Sequence, residues 1–323
     1  MEQAPRLFTV GSILADIRLE VPHLPARGGD VIGTGAALSA GGGFNILAAA
    51  ARQGMECVFA GRHGTGPYGA RIRADLAAEG ILASLPPVAD GDSGFCLVMV
   101  EPDGERTFVS SPGVEAALGG RRLETLALRA GDTVFASGYD LAYPELGPAI
   151  AAWMEGLPRS ICFMVDPGPL VAEIPAAVMA RIMPRATIWS MNRREAFLLS
   201  GTTDPGALRS HLEPGLSPAA LLILRDGEAG AWLSDTTDSR LVLVPSPAVR
   251  MVDSTGAGDS HAGVLIAGLA AGLSPLAAVA RANAAAALSV TRPGPATAPD
   301  KAELDRFLAG ITAPAERSAA EAD

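Results

Sequence analysis

The chain has 323 residues, of which 49% are hydrophobic and 19% are charged, so it has enough apolar material for one large buried core. Its formal net charge of −10 argues against nucleic acid or an anionic membrane surface as a partner, because both select for basic patches. The 3 cysteines are scattered and form no C-x-x-C, so neither a disulfide framework nor a zinc site is predicted.

The amino terminus lacks the basic and apolar regions of a signal peptide, and the longest apolar stretch, around residues 262–273, is interrupted by glycines. We therefore expect a cytoplasmic protein that does not enter a membrane. Lys301 is the single lysine, and no Gly-Lys-Ser/Thr ending of a Walker-type loop is present. Any phosphate chemistry must run without a catalytic lysine.

Apolar runs alternate with helix-forming segments in the first quarter of the chain. Residues 7–10 form a short apolar run closed by Gly11, which is typical of a buried parallel strand. A helix is predicted over 44–53, a strand over 58–61 and a helix over 68–79. This β-α-β-α order predicts an α/β sheet protein.

The pattern changes between residues 93 and 111. Two strand-like segments, 95–100 and 106–109, flank the turn Pro-Asp-Gly-Glu, which predicts a hairpin. A hairpin does not pair comfortably inside a parallel sheet. We expect it to form a lid outside the main sheet, with the extended segment 16–37 as its companion.

The alternation of strands and helices then resumes. Predicted strands cover 133–136, 161–165, 188–190, 221–224, 231–233 and 241–244, with a strand end at 249–252. Predicted helices cover 146–154, 171–183, 195–199, 260–271, 275–290 and 301–308. We expect one domain over residues 1–311 and a disordered, polar tail over 312–323.

A glycine turn with a carboxylate lies at the start of the apolar helix predicted from residue 260. Gly256, Ala257 and Gly258 can turn their amides toward one point, where the positive end of the helix dipole also favours an anion. Asp259 follows in the first turn, beside that anion. General-base chemistry on an attacking hydroxyl would explain this second negative charge, and a simple helix cap is the alternative.

The heptapeptide from Asp253 to Asp259, Asp-Ser-Thr-Gly-Ala-Gly-Asp, resembles the D-T-x-G-A-G-D signature of the ribokinase (PfkB) family of sugar and nucleoside kinases. Five motifs follow the family order between Gly11 and about Leu308. The resemblance implies a ribokinase-like three-layer αβα sandwich with a mostly parallel central sheet and a small β lid. It also implies an ATP-dependent, magnesium-using kinase that phosphorylates a hydroxymethyl group of a small sugar or sugar-like molecule. Asp259 would be its general base, and the amides of the turn would stabilise the transferring phosphoryl group.

Two segments resemble the sugar-binding motifs of the family. Asp16 lies just past the first strand, at the edge where parallel sheets bind ligands, and in the family this aspartate bonds sugar hydroxyls. Gly42, Gly43 and Asn45 belong to a G-G-x-x-N motif, in which bare backbone admits the sugar and the amide bonds its hydroxyls. From the residues alone, Asp16 could equally be a surface turn residue and the glycines a flexible loop.

The N-x-x-E motif of the family is matched by Asn192 and Glu195. The resemblance places both near the metal and the triphosphate, with Glu195 holding hydrated magnesium through water. The same spacing is also a helix capping box, which is the alternative interpretation.

Two further segments resemble the nucleotide side of the site. Gly227 and Gly230 match a G-x-x-G turn, in which Arg225 replaces a small or hydroxyl residue, and a plain hairpin is the alternative. Asn283 lies on a very apolar helix, where an amide needs a partner. In relatives this neighbourhood flanks the adenine, and hydrogen bonding within the core is the alternative.

A monovalent cation site is implied by the loop that ends at Gly294, which resembles the family's cation loop. Asp253 and Thr255 would complete it, and the expected ion is potassium. A salt bridge from Asp253 to an arginine is the alternative. His261, where many relatives carry phenylalanine, is expected to be a packing residue, because positions two apart on a helix point to different sides.

The identity of the acceptor is left open by the sequence. Leu14 replaces the asparagine often found in the family, which leaves the substrate open. Ser-Gly-Tyr-Asp at 137–140 replaces an expected glutamate, and the absence of that glutamate argues against ribose. A nucleoside kinase and a non-catalytic sugar-binding relative are the alternatives. A nicotinamide oxidoreductase would need G-x-G-x-x-G after the first strand, which is missing. The expected partners are a small sugar, ATP and a second copy of the chain, bound through the lid.

Overall fold

The computed structural model describes residues 4–119, 123–212, 214–234 and 241–312. The strands are β1 Arg6–Thr9, β2 Ile13–Glu20, β3 Gly35–Gly42, β4 Glu56–Phe59, β5 Leu82–Ala83, β6 Phe95–Val100, β7 Arg106–Ser111, β8 Thr133–Ser137, β9 Cys162–Asp166, β10 Ile188–Asn192, β11 Leu221–Arg225, β12 Ala231–Ser234 and β13 Leu241–Val244. The α-helices are α1 Gly43–Arg52, α2 Pro67–Ala78, α3 Gly138–Ala142, α4 Leu146–Gly156, α5 Ala176–Ile182, α6 Arg193–Ser200, α7 Pro205–Leu212, α8 Ala257–Ala270, α9 Pro275–Ser289 and α10 Lys301–Thr312.

A nine-stranded sheet runs through the centre in the order β13-β12-β11-β10-β9-β8-β1-β4-β5. Its strands pair in parallel from β11 to β5, and the edge strands β12 and β13 are antiparallel. This arrangement confirms the predicted α/β class with a mostly parallel central sheet.

Helices cover both faces of this sheet because successive strand residues point to opposite sides. Phe8 and Phe163 pack into a core with Ile150 of α4. Their neighbours Leu7 and Met164 pack into the other core, which α1, α8 and α9 also build. The result is three layers, with the carboxyl ends of the parallel strands open at one edge.

A separate sheet of four strands, in the order β3-β2-β6-β7, lies across that edge and is called the lid from here on. It contains the predicted hairpin as β6 and β7. The predicted companion segment 16–37 is displaced: β2 begins at Ile13, and its partner β3 continues to Gly42. Because β3 leads directly into α1, the lid carries the glycine motif to the mouth of the cleft.

Two predicted elements differ from the structure. The helix predicted over 171–183 is a short 3₁₀ turn, Val171–Glu173, followed by α5, because Pro175 interrupts the helical hydrogen bonds. The strand end predicted at 249–252 does not form. The amides of Val252 and Asp253 instead donate to the carbonyl of Val290 at the end of α9.

The sequence analysis did not predict the strand β5 or the helices α3 and α7. The last helix, α10, is longer than predicted and ends at Thr312. The rest of the tail, residues 313–323, lies outside the described residues. None of the described helices has the length and apolarity needed to cross a bilayer.

Candidate active site

A cavity of about 520 Å³ separates the lid from the carboxyl edge of the nine-stranded sheet, a volume within the usual range for small-molecule sites. Most site residues predicted from the sequence line it. These are Asp16, Gly42, Gly43, Asn45, Asn192, Glu195, Arg225, Gly227, Gly230, Thr255, Gly256, Ala257, Gly258, Asp259 and Asn283. The two other predicted residues, Asp253 and Gly294, are not among the lining residues.

The glycine turn before α8 needs glycine at its first position. Gly256 has a φ of 73°, and a Cβ on it would lie 1.9 Å from the carbonyl oxygen of Pro295. The helix then begins at Ala257, so its first amides have no partner within the helix. They lie at the cavity with the positive end of the helix dipole, which suits an anion.

Asp259, in the first turn of α8, accepts a hydrogen bond of 2.9 Å at its Oδ2 from Asn45 Nδ2. Burial raises the pKa of Asp259 to about 6, against the lowering effect of the Asn45 hydrogen bond, and the charge of Asp166 raises it further. A carboxylate with this pKa is ionised at neutral pH and is still basic enough to take a hydroxyl proton in a transition state.

Asp16, on the lid strand β2, lies across the cavity from Asp259. Burial, and then repulsion from Asp259, raise the pKa of Asp16 to about 7. A Cβ on Gly41 would lie 2.0 Å from Asp16 Oδ2, so the neighbouring strand must carry glycine here. The lid thus contributes a half-buried carboxylate to the cavity.

The glycine motif brings backbone close to the loop after β1. Gly42 has a φ of 63°, and the Gly43 amide donates to the Ser12 carbonyl at 3.1 Å. A Cβ on Gly43 would lie 3.0 Å from that same oxygen. Asn45 follows in α1, and its Oδ1 is buried without a hydrogen-bond partner among the described residues. An amide oxygen in this state is suited to accept from a bound hydroxyl.

Asp140 anchors the loop after β1 to the loop after β8. Its Oδ1 accepts from the amide and hydroxyl of Ser12, both at 2.7 Å, and its Oδ2 accepts from the amide and hydroxyl of Ser137 at 2.9 and 2.7 Å. A Cβ on Gly11 would lie 1.9 Å from this carboxylate. The aspartate therefore fixes the cavity wall, and its neighbour Tyr139 lines the cavity.

Asn192 and Glu195 form the capping box of α6, and both also line the cavity. Glu195 Oε2 additionally accepts from Arg225 Nη2 at 3.2 Å, and Arg225 Nη1 donates to Asp166 Oδ2 at 2.7 Å. Burial, and then repulsion from Asp166, raise the pKa of Glu195. Two carboxylates thus share one largely shielded guanidinium, and the capping box that was the alternative interpretation of the motif is present.

The same guanidinium reaches the start of α8. A Cβ on Gly258 would lie 2.7 Å from Arg225 Nη1. Arginine carries its charge at every pH at which the protein folds. The anion site predicted from backbone amides alone therefore also has a side-chain cation.

The other residues predicted to bind the nucleotide, Gly227, Gly230 and Asn283, also line the cavity. Gly227 and Gly230 have φ values of 57° and 109° in the turn between the antiparallel strands β11 and β12, so this segment is a hairpin that also lines the cavity. Asn283 donates to the carbonyl of Val244 at 2.8 Å, which is a core hydrogen bond. Burial, and then the charge of Arg225, lower the pKa of His261 to about 3, so this packed ring is neutral.

The residues expected to hold a monovalent cation are engaged by an arginine of the lid. Arg106 Nη1 lies 3.3 Å from Asp253 Oδ1 and also contacts Thr255 Oγ1, and Arg106 Nη2 donates to Ser254 Oγ at 2.7 Å. Gly294 presents its amide, not its carbonyl, to Asp253 at 2.9 Å. The salt bridge that the sequence left as an alternative is the observed arrangement.

Asp166 and Arg106 are the site residues that sequence reasoning missed. Asp166 ends the buried strand β9 at the carboxyl edge of the sheet. Asp16 was predicted as a site residue because it follows a buried strand at the same edge, so the same signal was available for Asp166. Arg106 gave no such signal, because its partners in the loop before α8 lie 147 and more residues away in the chain.

The chain matches the family model described as pfkB family carbohydrate kinase over residues 4–302. It is 37% identical over 301 residues to an uncharacterized sugar kinase, YegV, of Escherichia coli strain K12, with 92% of each chain covered. It is 29% identical to the ribokinase of Bacillus subtilis strain 168, covering 88% of this chain and 92% of that one. The fold matches that of Arabidopsis thaliana ribokinase complexed with ribose and ATP, with a TM-score of 0.81, 22% identity and coverage of 95% and 99%.

Proposed function

Because the chain belongs to the pfkB family of carbohydrate kinases, and is therefore an ATP-dependent kinase, we propose that it phosphorylates a hydroxymethyl group of a small uncharged sugar or polyol, with Asp259 as general base. The observation that carries this proposal is the position of Asp259. Its carboxylate is held by Asn45 on the acceptor side and lies in the first turn of α8, beside the anion site.

The proposed reaction is a direct transfer. The acceptor hydroxyl loses its proton to Asp259 as its oxygen forms a bond to the γ-phosphorus, and the bond from that phosphorus to the β-bridging oxygen breaks to release ADP. Asn45 holds one carboxylate oxygen of Asp259, and the other takes the proton. The amides of the glycine turn and Arg225 face the negative charge of the transferring group and need little reorganisation.

The charges that line the cavity favour a neutral acceptor. Among the lining residues that the structure describes, Arg225 is the one permanent cation, and it is already bonded to Asp166 and Glu195. The acceptor side instead presents the carboxylate of Asp16. A sugar acid or a sugar phosphate would meet repulsion there, whereas a hydroxyl can donate to Asp16.

The nucleotide is proposed to lie along the other half of the cavity, over Asn192, Arg225, the turn from Gly227 to Gly230, and Asn283. Asp166 and Glu195, which also bond to Arg225, would provide negative charge near a hydrated magnesium ion, with Glu195 acting through water. Magnesium bound in this way neutralises phosphate charge. Potassium is not part of this proposal, because its expected ligands already bond to Arg106.

We also propose that two copies associate through the lid and that the enzyme works in the cytoplasm, where ATP is available. The lid carries exposed apolar side chains, among them Leu38 and Val109, which association would cover.

An acceptor screen tests the proposal. Purified protein with MgATP would be offered pentoses, hexoses, sugar alcohols, sugar acids and nucleosides, with ADP release and the phosphorylated product both measured. We expect neutral sugars or polyols to give a product phosphorylated on a primary hydroxyl, and Asp259→Asn to abolish its formation. Preferential turnover of sugar acids would contradict the neutral-acceptor proposal, and preferential turnover of nucleosides would favour the nucleoside kinase alternative.

A further inference from the structure

Arg106 connects the lid to the loop before α8. It opens the lid strand β7, and its guanidinium donates to Ser254 Oγ at 2.7 Å and contacts Asp253 and Thr255. Its side chain is 21% exposed and that of Asp253 is 13% exposed, so the ion pair is largely shielded from solvent. Shielding makes its electrostatic contribution larger than that of an ordinary surface pair.

Asp253 in turn fixes the backbone that leads into the glycine turn. Its Oδ1 accepts from the amide of Thr255 at 2.9 Å, and its Oδ2 accepts from the amide of Gly294 at 2.9 Å. Burial works to raise the pKa of Asp253, but the hydrogen bonds from Thr255 and Gly294 outweigh it and lower that pKa. Asp253 is therefore an anion at neutral pH, and the charge of Arg106 lowers its pKa further.

Arg106 occupies the side-chain oxygens that were expected to hold potassium. Asp253 Oδ1 and Thr255 Oγ1 already contact the guanidinium. Gly294 directs its N–H group toward Asp253 Oδ2, and its carbonyl oxygen accepts from Thr297 Oγ1 at 3.4 Å. A second positive charge at this place would also be repelled by Arg106.

We propose that Arg106 replaces the monovalent cation in this enzyme and is a positioning residue of the glycine turn. Acting through Asp253 and Thr255, its charge holds the loop so that the amides after Gly256 face the transferring phosphoryl group. This proposal rests on the proposed function of the turn as the site of transfer. It makes catalysis independent of potassium and dependent on the lid.

The position of Arg106 on β7 links this charge to the acceptor. Arg106, Phe108 and Ser110 alternate along the strand and share one of its faces. Phe108 and Ser110 line the cavity. A sugar bound beneath Phe108 and Ser110 would restrain β7, the strand from which Arg106 contacts Asp253. The structure already has this contact, so a bound acceptor would restrain it further.

Thermal melting with MgADP tests the cation replacement without requiring a known acceptor. Wild type, Arg106→Met and the control Arg18→Met would be melted in potassium and in tetramethylammonium chloride at equal ionic strength. Arg18 is a suitable control because it is also a lid arginine and pairs with Glu20 on its own strand at 2.6 Å. The melting temperatures of wild type and of Arg18→Met should each differ by less than about 1 °C between the two salts. The melting temperature of Arg106→Met should be a few degrees higher in potassium, roughly as expected for binding at a vacated site.

Kinetics supply the second measurement. With the best acceptor of the screen, Arg106→Ala should lower kcat by about 10- to 100-fold with a small change in the KM for ATP. Guanidinium ion at a non-denaturing concentration, or potassium, should raise the kcat of Arg106→Ala several-fold. The control Arg18→Ala should show neither the fall in kcat nor the rescue. A purely structural role would not produce rescue by a small cation.

Two results would overturn the proposal: a wild-type enzyme that potassium stabilises or activates several-fold, or an Arg106→Ala enzyme that keeps wild-type kcat. Failure of the proposed function is distinguishable, because it would appear as the absence of any acceptor-dependent turnover in wild type. The melting measurement would still report whether potassium binds.

Discussion

Asn45 and Asp259, 214 residues apart in the chain, are joined by a hydrogen bond of 2.9 Å from Asn45 Nδ2 to Asp259 Oδ2. The bond connects the first turn of α1 to the first turn of α8. It holds the carboxylate between the acceptor side of the cavity and the glycine turn. It also lowers the pKa of Asp259, against the effect of burial, so one contact sets both the position and the basicity of the proposed base.

Replacing Asp259 with Asn should lower kcat by about 100-fold or more and leave ATP binding within a few-fold of wild type, because the amide keeps the shape and cannot take a proton. Turnover and, separately, ATP affinity by calorimetry check this. Near-normal turnover in the variant would exclude Asp259 as the base.

Replacing Asn45 with Ala should move the acidic limb of the pH–rate profile upward. The limb reports deprotonation of Asp259, whose pKa is about 6, and loss of the Asn45 hydrogen bond removes an interaction that lowers this pKa. We expect a shift of about one pH unit. Ser274→Ala, which removes the cap of the distant helix α9, is the control and should leave the limb in place. An unmoved limb in Asn45→Ala would show that another group controls it.

Asp16 should make the ligand-free protein less stable as pH rises. Its pKa is raised from 3.8 to about 7, so the fold favours the protonated form. The stabilisation that the protonated Asp16 carboxyl contributes is complete below the pKa of the unfolded chain, and it is lost as pH rises through about 7. Asp16→Asn stays neutral, so at about pH 8 it should be more stable than wild type by about 1–4 kcal/mol, with a difference that shrinks toward pH 5. Urea unfolding at both pH values measures this, and a pH-independent difference would contradict it.

Arg225→Met should destabilise the fold and weaken ATP binding together, because it leaves the carboxylates of Asp166 and Glu195 buried without a cation. Removing one partner of a buried ion pair costs about 3–5 kcal/mol. Arg193→Met is the matched control, since Arg193 pairs with Asp226 at the surface, Nη2 to Oδ2 at 2.6 Å, and should cost no more than about 1 kcal/mol. Equal unfolding free energies for the two variants would show that the buried guanidinium is not needed.

The sequence alone determined the family, the α/β class and a set of candidate site residues, most of which line the cavity. Local signals explain this success: a glycine turn before an apolar helix places Asp259 at a dipole, and an acid after a buried strand places Asp16 at the ligand edge. Such signals depend on neighbours a few residues away, so they can be read without the fold. One exception is the strand expected at 249–252, where the amides of Val252 and Asp253 bond to the end of α9 instead of a strand.

Only the tertiary structure decided which charges meet. Arg225 could be placed on a turn, but its position between Asp166 and Glu195 depends on three parallel strands ending at one edge. Arg106 reaches Asp253 because the lid folds across that edge. A potassium site and an arginine salt bridge use the same carboxylate, so the sequence could not choose between them. The long-range packing of the lid brings the guanidinium to that carboxylate, and this contact has no counterpart in local sequence pattern.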